Sequence, residues 1–107
     1  MLNSNFEWKE LGVTTGTTQQ SLPNAKELSI SIYTNDYSTI VPFHISYNQF
    51  YGADKLLSFT SGSYISPGIG VYARLDIDII NKKIALGSLI VSGNDVTSTS
   101  KCSIFYR

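Results

Sequence analysis

Val71-Tyr72-Ala73-Arg74-Leu75-Asp76-Ile77-Asp78-Ile79-Ile80, followed by Asn81-Lys82 and then by Lys83-Ile84-Ala85-Leu86-Gly87-Ser88-Leu89-Ile90-Val91, is the stretch on which the fold turns. Apolar and polar residues alternate through most of both arms, the period of a strand with one face buried. Asn81 tolerates positive φ, so Asn81-Lys82 reads as a two-residue hairpin loop. That loop sets Ile80 opposite Lys83, which brings Ile79 opposite Ile84, Ile77 opposite Leu86 and Ala73 opposite Ile90, these three pairs on one face. Asp76 and Asp78 take the other face, and a slip of one residue would bury them instead. Gly93-Asn94-Asp95 reads as a second, three-residue loop leading into residues 96–106, which sets Leu86 opposite Cys102 and Ile84 opposite Ile104.

The same period runs upstream. Leu28, Ile30 and Ile32 share a face with serines between them, and Val41, Phe43 and Ile45 alternate with Pro42 and His44. Pro42 cannot donate to a ladder, so its strand belongs at a sheet edge. Phe6 and Trp8 alternate with Glu7 and Lys9, and the parity breaks at Leu11-Gly12, at a bulge or a strand end. Helical spacing is confined to residues 48–57, where Gly52 interrupts it. The expected fold is all-β: an antiparallel β-sandwich or jelly roll of about seven or eight short strands with at most one short helix, forming a single domain over residues 1–107.

Composition narrows the function classes. The 107 residues carry eight Lys plus Arg against eight Asp plus Glu, and only 15% are charged. Such a balance lacks the basic footprint of nucleic-acid binding and gives no purchase on an anionic membrane. No apolar run approaches the roughly 20 residues that cross a bilayer. The N-terminal segment has neither a basic nor an apolar region of a secretory signal, so synthesis in a cytoplasm without a signal peptide is expected. Cys102 is the one cysteine, which excludes an internal disulfide and a cysteine-built zinc site.

Each constellation that could carry chemistry has a simpler reading. His44, the one histidine, has no nucleophile signature around it and reads as a partly exposed strand residue. Asp76, Asp78 and Asp95 are oxygen donors suited to a hard cation, yet alternating carboxylates on a wet strand face serve solubility equally well. Gly68, Gly70 and Ala73 fit a dinucleotide-binding pattern but precede a strand where that pattern requires a helix. Cys102 alternates with Ile104 and reads as a buried small apolar residue. Neither an enzyme nor a bound metal or cofactor is expected. The remaining signal is aromatic: Tyr33, Tyr37, Tyr47, Phe50, Tyr51 and Tyr64 gather at strand ends and in connections. Of these, Tyr37, Tyr47, Phe50 and Tyr51 are the candidate ligand-binding residues, since an exposed Tyr combines a flat apolar face with a hydroxyl.

Three segments carry a resemblance: Trp8-Lys9-Glu10-Leu11, Ser21-Leu22-Pro23 with the following Glu27-Leu28-Ser29-Ile30-Ser31-Ile32, and Ser103-Ile104-Phe105-Tyr106-Arg107. The chain resembles the small β domains of tail-fibre, baseplate and related structural proteins of bacteriophages and prophages of Gram-positive bacteria. That resemblance implies a virion structural or adhesion role, without enzymatic activity. It also implies a homotrimer and contact with a host-surface polysaccharide or another virion component. The alternative is a free carbohydrate-binding, lectin-like module.

Overall fold

A computed structural model describes residues 7–46, 56–66 and 69–107. Among the described residues nine strands run in chain order: β1 (Lys9–Thr15), β2 (Gln20–Ser21), β3 (Glu27–Tyr33), β4 (Ile40–Ser46), β5 (Leu56–Ser66), β6 (Ile69–Asp78), β7 (Lys83–Val91), β8 (Asn94–Asp95) and β9 (Lys101–Tyr106). They form two antiparallel sheets, one ordered β1-β9-β3-β4 and the other β2-β7-β6-β5 with β8 added beside β7. Inward residues of both sheets build one core. Leu28, Ile30, Ile32, Phe43, Ile45, Cys102 and Ile104 come from the first sheet, and Ala73, Leu75, Ile77, Ile84, Leu86 and Leu89 from the second. The all-β sandwich expected from alternation is the fold observed.

On β3 and β4 the alternation translates directly. Leu28 pairs with Ile45, Ile30 with Phe43 and Ile32 with Val41, all six buried, while Pro42 lies opposite Ser31 on the exposed side of an edge strand. The break at Leu11-Gly12 is a bulge: Glu10 pairs with Phe105 and Gly12 with Ile104, leaving Leu11 as the extra residue. Leu56 and Leu57 open β5, whereas the rest of the 48–57 segment lies outside the described residues.

The β6–β7 hairpin departs from the two-residue loop in an instructive way. Asp78 pairs with Lys83, so residues 79–82 all belong to the turn. Asp78 is the reason: its Oδ1 accepts the Asn81 backbone N–H at 3.0 Å and its Oδ2 the Asn81 side-chain amide at 2.9 Å, and Lys82, not Asn81, takes the left-handed conformation with φ 54°. A carboxylate four residues before the end of the connection closes a wider turn than sequence spacing alone suggests. The pairing moves by two positions, an even number, so Ile77 still faces inward, now opposite Ile84, and Leu75 lies opposite Leu86. Farther along, Gly87 has no partner, because Leu75 pairs with Leu86 and Arg74 with Ser88. This bulge inverts the parity of the distal half of β7. Ala73 therefore faces Leu89, which is fully buried, and not Ile90, which falls on the other side.

The second hairpin is also reset. Ser92 and Gly93, with φ of 50° and 81°, make a tight two-residue turn, and β8 follows β7 for only two pairs. Thr97 then ends the ladder: its hydroxyl accepts the Leu89 N–H at 2.8 Å, and a single 3-10 turn at Thr97–Thr99 carries the chain to the opposite sheet. β9 enters that sheet between β1 and β3, with Cys102 opposite Thr14 and Ile32 and with Ile104 opposite Gly12 and Ile30. Leu86 and Cys102, and likewise Ile84 and Ile104, are consequently members of one core from opposite layers and not partners in one ladder. The place beside Ile84 belongs to Gln20 of β2.

Candidate ligand-binding surface

Residues 34–39 join β3 to β4, and their geometry is fixed by Thr34 and Asp36. The Thr34 N–H donates to the Thr39 carbonyl at 3.0 Å and the Tyr37 N–H to the Thr34 carbonyl at 2.9 Å. Asp36 Oδ1 accepts the Ser38 hydroxyl at 2.7 Å, the Thr34 hydroxyl at 2.9 Å and the Ser38 N–H at 3.0 Å. These donors, with the Ser38 hydroxyl foremost, stabilise the ionised carboxyl and hold its pKa down to about 2 from 3.8. A lowered pKa means that the loop gains from Asp36 above the ordinary carboxylate range and loses that support as pH falls through about 2. In an NMR acid titration the Ser38 and Thr39 amides should hold their positions to about pH 3 and move only below it; movement at the ordinary Asp pKa would show the network to be absent in solution.

This framework holds Tyr37 in the left-handed region, φ 61°, where bulky residues are uncommon. The residue is 70% exposed, and its ring stacks on Tyr33 with centroids 5.3 Å apart and planes 14° from parallel. Ile40, paired with Tyr33 across the ladder, is 60% exposed. The hairpin tip is thus a flat apolar patch with phenolic hydroxyls, held on a hydrogen-bonded loop. Of the candidate residues read from sequence, Tyr37 is placed here, and Tyr33 joins it as the stacking partner. Tyr47, Phe50 and Tyr51 lie outside the described residues.

No family model, curated protein or solved structure matches this chain. The likeness to phage structural domains therefore rests on the short sequence segments alone.

The other end of β3 carries a second cluster, which sequence spacing did not reveal because its members come from both ends of the chain. The Glu27 carboxylate accepts from Arg107 Nε and lies 3.0 Å from His44 Nε2. The Arg107 guanidinium sits 4.3 Å from the centroid of the Trp8 ring, whose edge-on neighbour is His44 at 6.1 Å. Arg107, by its hydrogen bond first, holds the Glu27 carboxyl below its ordinary pKa. With three main-chain hydrogen bonds joining Arg107 to Lys26 and Glu27, the group fastens the end of β9 to the start of β3. His44 is 56% exposed at its side chain, the partly exposed strand residue expected.

The other groups examined for chemistry have structural occupations. Asp76 pairs with Arg74 at 3.1 Å, Asp78 shapes the β6–β7 turn, and Asp95 accepts from Thr97. Among the described residues no three His, Cys, Asp or Glu side chains converge on a point that would hold a metal ion. Cys102 is fully buried, and burial pushes its thiol up to about 12, the opposite of what a nucleophilic cysteine requires.

Proposed function

We propose that this chain is a non-catalytic adhesion domain of a phage or prophage virion that binds a host-surface polysaccharide through the tip of its β3–β4 hairpin. The observation that supports the reading is Tyr37. A loop organised by Asp36 sets an aromatic ring at positive φ and 70% exposed, where it gains little from burial, and backs it with Tyr33. An exposed tyrosine stacked on a half-buried one suits the apolar face of a sugar ring and offers a hydroxyl to its edge. The same reading takes the homotrimer as the assembly, which multiplies a weak single contact by presenting three tips together.

The test is binding to wall polysaccharide from Gram-positive bacteria, measured alongside thermal unfolding and mass by light scattering. Tyr37→Ala and Tyr33→Ala should each weaken binding at least tenfold, and Tyr37→Ala should leave the melting temperature nearly unchanged, since an exposed ring contributes little to folding yet can dominate a contact. Binding unaffected by both substitutions, or absent in the unmodified chain, overturns the reading. Retention by a virion protein and by no glycan would transfer the same surface to a particle-assembly role.

A further inference from the structure

The outer face of the second sheet contains a groove of about 360 Å³. Its floor is β7, where Ala85 and the bulged Gly87 stand between larger neighbours. The sheet order places Arg74 and Asp76 of β6 on one side and Thr17 and Gln19, which lead into β2, on the other. Gly87 is required by this arrangement: a Cβ there would stand 2.5 Å from Arg74 Nε and 2.7 Å from Asp76 Oδ2, so the ion pair lies directly over bare backbone. Arg74 donates through Nε to Asp76 Oδ1, which also accepts the Ser58 hydroxyl at 2.9 Å. Asp76 Oδ2 and the terminal guanidinium nitrogens have no hydrogen-bond partner among the described residues.

We infer that this groove is a binding site for a neutral saccharide. Two cations, Arg74 and Lys83, face two anions, Asp76 and Asp78, within the lining, so no net field selects a phosphate or a metal ion. What remains is an acceptor beside donors, with the amide of Gln19 and the hydroxyl of Thr17 across the floor. Hydroxyl groups on adjacent carbons, each able to donate and accept, satisfy that array, whereas an apolar ligand leaves it unpaired. The volume lies at the small end of the range for ligand sites, about 300 to 1,000 Å³, and fits one or two sugar units. Leu56 is the one exposed large apolar side chain of the lining, so affinity in the millimolar range is expected. The site is on the opposite sheet from the Tyr33/Tyr37 tip and does not depend on that reading.

The experiment is an NMR titration of the full, 15N-labelled chain with D-glucose, D-galactose, L-rhamnose and N-acetyl-D-glucosamine, each to about 0.1 M, well above a millimolar Kd. Inorganic phosphate and calcium chloride form the charged arms. At least one neutral sugar should give saturable shifts at the amides of Arg74, Asp76, Gly87 and Gln19, with neither phosphate nor calcium shifting them. Gly87→Val, which fills the floor, and Asp76→Ala, an outward substitution that removes the acceptor, should each weaken that sugar at least tenfold, while Tyr37→Ala leaves it unchanged. No groove shift with any of the four sugars overturns the inference, as does a stronger response to phosphate or calcium. Shifts confined to the Tyr33/Tyr37 hairpin also overturn it, and in that outcome the adhesion reading stands by itself.

Discussion

Cys102→Asp should lower stability by about 3–5 kcal/mol, a large part of the roughly 5–15 kcal/mol of an ordinary domain. The side chain is fully buried near the start of β9, flanked by Thr14 on β1 and Ile32 on β3. A carboxylate there would lose its hydration and find no cation, since the neighbouring inward residues are Ile30, Ile32 and Ile104. Urea unfolding followed by circular dichroism measures the loss, with Cys102→Ala as the control that removes volume and adds no charge. The native thiol supplies a companion result. Its raised pKa means that the folded form keeps its proton where the unfolded form gives it up, so the contribution to stability is complete below the ordinary value of 9.0 and is lost as pH rises towards about 12. Reaction with thiol reagents should accordingly require denaturant, and a Cys102→Asp midpoint equal to that of the unmodified protein would contradict the burial.

Leu75→Ala should cost about 2–5 kcal/mol, the range for deleting a well-packed aliphatic side chain. Leu75 is fully buried, with Phe59 as its β5 partner and Leu86 as its β7 partner. It stands immediately beside the β7 bulge, where the extra residue Gly87 interrupts the ladder and leaves that stretch of sheet dependent on side-chain packing. Chemical denaturation of Leu75→Ala against Tyr37→Ala makes the contrast measurable: a large loss for the first and almost none for the second. Comparable losses would mean that Tyr37 belongs to the core after all.

The strands, most of their faces and the pairing of β6 with β7 were legible in the sequence, whereas the partners of β9 were not. Alternation fixes which side of a strand is apolar, so Leu28, Ile30, Ile32, Val41, Phe43 and Ile45 all take the expected face. Alternation says nothing about which strand lies alongside. The placement of β9 in the first sheet depends on Thr97, whose hydroxyl takes the Leu89 N–H and ends the ladder, and on the small residues of the 3-10 turn. A run of four small hydroxylated residues, Thr97-Ser98-Thr99-Ser100, was the available signal of a break inside what reads as one long strand. Bulges are similarly opaque. Gly87 interrupts a good apolar pattern, and only the switch from Leu86 to Leu89 as successive inward residues betrays it. For the candidate surface, Tyr37 was identifiable as a loop tyrosine, but its support by Tyr33 depends on a loop shape that Asp36 imposes through contacts invisible to spacing.

The position of β9 also governs when the protein can fold. This strand comes last in chain order, yet it lies between β1 and β3 and supplies Cys102 and Ile104 to the core. A nascent chain that has not yet emerged through Tyr106 has β1 without its ladder partner and β3 with one open edge. Folding as a unit must await synthesis through β9, and it must then bring together strands far apart in the sequence. Such long-range pairing belongs to slowly folding β topologies, with refolding in milliseconds to seconds. A premature stop before Lys101 would leave the first sheet as β1 and a separate β3–β4 pair with exposed edges, a species prone to pair with its own copies.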